Sequence, residues 1–239
     1  MQPKNLLQRH PVFHVSELNA YFSEHGTVNT SARNAWLSYH KSRGRLISPR
    51  KRLYVSVPPG RRPEEVQPDP YLMASRMTPG AVVGYWAALV FHGLADPPFK
   101  VVTVIAETRA VSFQFSEWMF KGVTPPTPLR VRNMEGYGVE NHMRSGLSVR
   151  VTSAPRTLVD AFCRPDLCGG LEAVERSAER FSDPLEVDAL VEYAALLESA
   201  TAIGRAAALL EARRKQLDVT PEHFERLRAA RTQAAGGAG

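Results

Sequence analysis

Apolar residues recur at helical spacing in two stretches near the start of the chain, separated by a short turn. Leu18, Tyr21 and Phe22 lie at positions i, i+3 and i+4, which predicts an amphipathic helix with one apolar stripe. Gly26 suits the end of this helix, because glycine adopts positive φ without strain. A second helix is predicted over residues 31–43, with Asn29 or Thr30 as its N-cap.

The second predicted helix has two different faces on a helical wheel. Ala32, Trp36, Leu37 and His40 fall on one side. The other side is small and polar, which suits close approach of a helix to the major groove of DNA. It carries Ser31, Asn34, Ala35, Ser38, Lys41 and Ser42.

A short basic hairpin is predicted directly after Gly44. Residues 45–48 and 52–57 are typical of two strands, and Arg50, Lys51 and Arg52 lie at or next to the turn between them. Two helices followed by a basic hairpin predict a winged helix-turn-helix domain over residues 1–60. In that arrangement the hairpin would contact phosphates or the minor groove.

The pattern changes after a proline-rich linker at residues 61–70. Residues 71–233 predict a mixed α/β domain with a helical C-terminal part, so the fold class is α+β. Residues 234–239 are predicted to be disordered. Strands are predicted at 101–106, 111–115, 129–133 and 147–151, with a glycine-containing loop between the last two. Helices are predicted at 71–77, 81–92, 153–162, 171–181, 185–197, 200–217 and 221–231.

Positive charge is concentrated in the first quarter of the chain. Residues 1–60 hold nine Lys/Arg and two acids, whereas residues 61–239 hold 21 Lys/Arg and 22 acids. This asymmetry indicates that residues 1–60 bind a polyanion and that the rest of the chain is nearly neutral. The alternative is a solvated basic face without a ligand. Two cysteines cannot form a disulfide framework and are typical of a reduced, cytoplasmic protein. No apolar run predicts a membrane span.

Helix face, hairpin and charge together define a candidate DNA-binding surface. Asn34 could pair bidentately with adenine, or belong to an ordinary solvent face. Arg33 could reach a phosphate, or the aliphatic part of its side chain could simply pack on the protein. The cations of the hairpin could instead protect its strand edge against aggregation. His40 is predicted to be a core histidine with its hydrogen bonds satisfied, with a switch or a ligand as the alternative. The residues predicted to contact DNA are Ser31, Arg33, Asn34, Ser38, Lys41, Arg43, Arg45, Arg50, Lys51 and Arg52.

Sequence motifs for catalysis are absent. No Asp/Glu-x-Lys, Gly-Ser or Gly-x-x-x-x-Gly-Lys sequence occurs. Cys163 and Cys168 lack histidines at zinc-site spacing, so no metal and no cofactor is predicted. Arg156, Thr157 and Asp160 form a polar trio on one predicted helix, explained by a buried hydrogen-bond network or by a functional surface. The sequence predicts a protein that is not an enzyme.

Three passages together resemble the AbiEi-type antitoxins and transcriptional regulators of type IV toxin–antitoxin systems. They begin at Arg43 (RGRLI, then RLYV at Arg52), at Tyr85 (YWAALVFHGL) and at Val151 (VTSAPRTLVD, then GGLE at Gly169). The resemblance spans most of residues 12–181. It implies DNA binding at an operator and autorepression. A winged-helix head often binds inverted repeats as a pair, so the expected DNA is an inverted-repeat operator, with a possible homodimer on it. The resemblance also implies functional antagonism of a nucleotidyltransferase toxin, without requiring a direct complex.

The alternative function is a protein-interaction module whose winged-helix head binds a protein partner instead of DNA, as winged helices also serve as protein interfaces. Salt-dependent DNA affinity separates the two hypotheses, because phosphate contacts release counterions and a protein interface has no such requirement.

Overall fold

The computed structural model describes residues 4–26, 29–96, 100–107 and 112–236. The fold is α+β, as predicted, with one three-stranded and one six-stranded sheet among these residues. None of the described helices combines the length and the apolar character needed to cross a membrane.

The N-terminal part builds a small sheet around two helices. Its strands pair antiparallel in the order β1-β3-β2. Helices α2 and α3 form against it, and both begin with a side-chain cap. The elements are α1 (Lys4–Arg9), β1 (Val12–His14), α2 (Val15–Glu24), α3 (Thr30–Ser42), β2 (Leu46–Arg50) and β3 (Leu53–Ser56).

The two helix caps follow from local chemistry. Asn29 Oδ1 accepts a hydrogen bond from Ser31 N at 2.8 Å, so the predicted cap of α3 is confirmed. His14 caps α2: its Nδ1 accepts from Ser16 N at 3.2 Å, and Glu17 Oε2 accepts from His14 N at 2.8 Å. This reciprocal arrangement satisfies amide groups that the first turn of a helix leaves unpaired.

The six-stranded sheet has the order β6-β7-β5-β4-β9-β8. Pairs β5–β7 and β4–β9 are parallel, and the other neighbours are antiparallel. Gly84 at the end of β4 allows close packing of Ile105, because a Cβ there would lie 2.6 Å from Ile105 Cδ1 and would displace that side chain. The strands are β4 (Val82–Gly84), β5 (Val101–Ile105), β6 (Phe113–Phe115), β7 (Trp118–Val123), β8 (Val139–Arg144) and β9 (Leu147–Thr152).

Helices cover this sheet and form the C-terminal part of the chain. The larger core cluster joins Val82 and Ile105 to the helices that follow β9. Helices are predicted correctly at 153–162, 171–181, 185–197, 200–217 and 221–231, with shifted ends. The helices are α4 (Pro70–Ser75), α5 (Tyr85–Phe91), α6 (Thr127–Val131), α7 (Ala154–Cys163), α8 (Leu171–Arg180), α9 (Val187–Leu196), α10 (Ala200–Ala212) and α11 (Pro221–Gly236).

Four sequence-based expectations for the second part are wrong. The predicted strand at 129–133 is not formed, because Pro128 lies in the first turn of α6, which covers residues up to Val131. The predicted helix at 81–92 begins only at Tyr85, since residues 82–84 form β4. The predicted glycine loop contains β8. Residues 234–236 continue α11 instead of being disordered. Val111, predicted to start a strand, and residues 237–239 lie outside the described residues.

The two parts of the chain share a hydrophobic cluster. Val12, Leu53 and Val55 of the small sheet pack with Leu72 and Met73 of α4, which in turn cover the larger sheet. The proline-rich segment 61–70 therefore connects two parts that also meet through buried apolar side chains.

Candidate nucleic-acid interface

Helix α3 has the buried and exposed faces predicted for it. Leu37 and His40 are buried, and Trp36 is half-buried against Phe22 and the His40 ring. The predicted burial of His40 is thereby confirmed, but its Nδ1 has no hydrogen-bond partner among the described residues, so the expectation of a satisfied histidine is not met. Tyr39, which the wheel analysis left unassigned, is 50% exposed. The exposed small and polar positions are Ser31, Asn34, Ala35, Ser38, Lys41 and Ser42.

Arg33 organises the exposed side of α3. Its Nε and Nη2 both donate to Asn34 Oδ1, at 3.2 and 3.1 Å, and its Nη1 donates to Asn19 Oδ1 of α2 at 3.0 Å. Because a guanidinium has only donors, these contacts fix which end of each amide faces it. The Asn34 oxygen is thus already occupied, and its NH₂ group is the end left to meet a ligand.

A cleft of about 500 Å³ lies between α2, α3 and the β2–β3 turn. It brings Arg33 and Asn34 together with Lys51 and Arg52 of the turn. Arg52 has a φ of 71°, a left-handed conformation that closes the hairpin. Two of the predicted helix residues, Arg33 and Asn34, and two of the three turn residues therefore line one concave basic surface.

Lys41 extends this surface along α3. Its Nζ lies 5.2 Å from the centre of the Tyr54 ring, which stacks on buried Phe13 at 5.4 Å. Burial raises the pKa of the Tyr54 phenol above its ordinary value, with an opposing effect from Arg33. The phenol stays protonated and neutral at physiological pH.

Arg50 has a different environment from its neighbours in the turn. Its guanidinium lies 5.3 Å from the centre of the Phe113 ring of β6, in the larger sheet. Burial lowers the pKa of Arg50, whereas Lys51 and Arg52 are exposed. Arg50 therefore adds a contact with the second part of the chain to the apolar packing of Leu53 and Val55, and it has two outward-facing cations beside it.

Arg43 and Arg45 lie apart from the Arg33 cleft. They line a second cleft with Arg61, a residue that the sequence analysis assigned only to the linker. The Arg43 guanidinium lies 5.6 Å from the centre of the Tyr39 ring. Nine of the ten predicted residues are therefore distributed over two clefts and the exposed face of α3, and Arg50 lies on the hairpin against Phe113.

Glu17, one of the two acids in residues 1–60, is engaged in the protein itself. Besides capping α2, its Oε1 lies 3.5 Å from Arg76 Nε. Arg76 also donates through Nη1 to Ser148 O of β9 at 2.8 Å. These contacts hold the start of α2 against the larger sheet.

The Arg156–Thr157–Asp160 trio is buried, which favours the structural interpretation. Arg156 Nη1 donates to Glu135 O at 2.8 Å and to Tyr137 O, and its Nε lies 3.5 Å from Asp160 Oδ2. Tyr193 OH donates to Asp160 Oδ1 at 2.7 Å. Burial raises the pKa of Asp160, against the opposing effects of Arg156 and Tyr193.

Within the described part of the chain, no group of three or more His, Cys, Asp or Glu side chains is arranged to hold a metal ion. Cys163 and Cys168 are free thiols, and burial raises the pKa of Cys163 to about 11. Neither thiol therefore has the lowered pKa of a reactive cysteine.

Comparisons with known proteins add little to this geometry. No protein-family model matches the chain, and no curated protein does. The crystal structure of the RV2827C protein from Mycobacterium tuberculosis is similar at 17% sequence identity, covering 96% of this chain and 78% of that one, with a TM-score of 0.48.

Proposed function

We propose that residues 4–60 form a winged helix-turn-helix that binds double-stranded DNA. Helix α3 is the recognition helix and the β2–β3 hairpin is the wing. The observation that carries the proposal is the concave surface on which Arg33 and Asn34 of α3 meet Lys51 and Arg52 of the hairpin. Exposed cations on two adjacent elements suit the phosphates on either side of a groove.

The contact between Arg33 and Asn34 restricts which base atoms this pair could contact. An Asn pairs bidentately with adenine only if its oxygen accepts and its NH₂ donates. Because Arg33 occupies the Asn34 oxygen, the pair presents donors only. In the major groove such donors match guanine N7 and O6, adenine N7 or thymine O4. Adenine-specific pairing would require Arg33 to release Asn34.

The biological role proposed for this DNA-binding protein is transcriptional repression as the antitoxin of a type IV toxin–antitoxin system. This part rests on the resemblance of the three sequence passages to AbiEi-type regulators. These passages form the α3–β2 turn and β3, helix α5, and the connection from β9 to α7. Repression of its own operon and antagonism of a nucleotidyltransferase toxin follow from that resemblance.

A protein-binding head is the second candidate, favoured by Tyr39. This side chain is 50% exposed on α3 beside the Arg43 guanidinium, and Tyr and Arg are enriched at protein interfaces. If the head binds a protein, the same helix face is used and DNA affinity is weak at every salt concentration.

Fluorescence anisotropy of the purified protein with its own upstream DNA and with a scrambled duplex tests the proposal. The repressor function predicts tighter binding to the upstream DNA, weakened as salt rises. Failure to bind either duplex at low salt would exclude DNA binding and lead to a search for a protein partner.

A further inference from the structure

The second basic cleft differs from the surface proposed to read DNA. It has a volume of about 710 Å³ and lies between α1, the end of α3 and residues 56–61. Arg43, Arg45 and Arg61 line it, and no carboxylate does. Leu7 and Val57, together with three prolines, give it an apolar wall.

His40 is a largely buried residue at the wall of this cleft. The side chain is only 6% exposed, yet it is one of the lining residues. Its Nδ1 has no hydrogen-bond partner among the described residues. The ring packs against Trp36 with 4.3 Å between ring centres. Burial, reinforced by the nearby charge of Arg45, lowers the pKa of His40 and keeps the ring neutral.

The chemistry of the cleft selects a class of ligand. Guanidinium groups bind phosphates in bidentate fashion, and three of them without a neighbouring carboxylate favour an anion carrying more than one charge. A volume of this size is typical of sites for small organic molecules and exceeds what an inorganic ion fills. The apolar wall would contact the uncharged part of such a molecule.

We propose that this cleft binds a small phosphate ester of mononucleotide size. The phosphate lies on Arg43, Arg45 and Arg61, and the organic part lies on the wall formed by Leu7 and the prolines. The proposal concerns a free ligand, so it stands or falls separately from DNA binding.

Isothermal titration calorimetry of the full chain at low salt tests this site, with AMP, GMP, CMP and UMP as probes and adenosine as the uncharged control. At least one mononucleotide is expected to bind with a Kd below about 1 mM, and adenosine is not. The double variant Arg45→Gln/Arg61→Gln is expected to weaken binding at least tenfold. Lys215→Gln, a matched change at an exposed cation outside the cleft, should leave the affinity unchanged.

Trp36 gives a local readout in the same experiment. Binding is expected to change tryptophan fluorescence, and Trp36→Phe should remove that change while calorimetry still detects the ligand. Circular dichroism of each variant checks that it is folded. Two results would overturn the proposal. In the first, no mononucleotide binds, whether or not a DNA duplex binds through Arg45 and Arg61. In the second, the Arg45→Gln/Arg61→Gln variant binds the mononucleotide as tightly as the Lys215→Gln variant does.

Discussion

Charge is used in opposite ways in the two parts of this molecule. In the N-terminal part, Lys41, Lys51 and Arg52 are exposed and stand beside no described ion-pair partner. In the C-terminal part, Arg156 and Asp160 are each 1% exposed and bind each other, Tyr193 and backbone carbonyls. Exposed charges add little to stability but are available to a ligand, whereas buried charges are committed to the fold.

The role of a polar residue cannot be assigned from its type until its burial is known. Arg33 and Arg156 both contact polar groups on their own helix. Arg33 is half-buried at a concave surface, and Arg156 is enclosed. Substitutions in the first region should change binding and leave stability nearly intact, and substitutions in the second should do the reverse.

The largest expected effect is on stability, from Asp160→Ala. It leaves the buried Arg156 charge without its counter-ion, which should lower the free energy of unfolding by about 3–5 kcal/mol. Asp166→Ala is the matched control, because Asp166 pairs with Arg164 at the surface and should change stability by less than about 1 kcal/mol. Urea denaturation measures the free energy of unfolding of both variants. Equal losses of stability would contradict the difference between buried and exposed charges.

Asn34→Ala should act on DNA recognition alone. Loss of a base contact is expected to cost about 1–3 kcal/mol in binding to the preferred site, with little change on random DNA. The free energy of unfolding should stay within about 0.5 kcal/mol of the wild-type value. An equal loss on operator and random duplexes in the anisotropy assay would exclude Asn34 as a base-reading residue.

Arg50→Ala is expected to have a mixed effect, because Arg50 connects the two regions through Phe113. Loss of this cation–π contact should lower stability by about 0.5–1 kcal/mol. Lys51→Ala, the exposed neighbour, should weaken DNA binding without any such loss. If the two variants have the same thermal midpoint, the hairpin is not anchored at Arg50.

The smallest expected effect is the pH dependence contributed by His14. Burial lowers the pKa of His14 below 6.5, against the opposing effect of Glu17. The folded protein therefore takes up a proton less readily than the unfolded chain. This contribution to stability is complete above about pH 6.5 and is lost as pH falls from there towards the folded-state pKa.

His14→Asn tests that dependence, since Asn can cap a helix but does not titrate. The difference in unfolding free energy between pH 7.5 and 5.5 should be smaller in the variant than in the wild type. Protonation of His10, His40 and His92, whose pKa values are also lowered, accounts for what remains. An unchanged difference would show that the His14 cap does not titrate in this range.

Features that depend on nearby residues could be predicted from the sequence. The faces of α3, its Asn29 cap and the buried His40 follow from spacing within one helix. The start of α6 also had a local signal that the strand assignment ignored, because Pro128 favours the first turn of a helix.

Features that depend on distant residues could not be predicted. Strand β4 has three residues and pairs with β5 and β9, and edge strand β8 has a polar sequence that reads as a loop. In the candidate interface, the Arg33–Asn19 hydrogen bond and the Arg50–Phe113 contact join residues from different elements. Pairing and packing between elements decide these contacts, and periodicity in one segment carries no information about them.

The salt dependence of DNA affinity tests the central claim most directly. If α3 and the hairpin make about six phosphate contacts, a plot of log affinity against log salt concentration should have a slope of about −5. The double variant Lys51→Gln/Arg52→Gln should make the slope shallower by about 2 and leave stability unchanged. A flat plot for the wild type, or the same slope for both proteins, would contradict the proposal that this basic surface binds DNA.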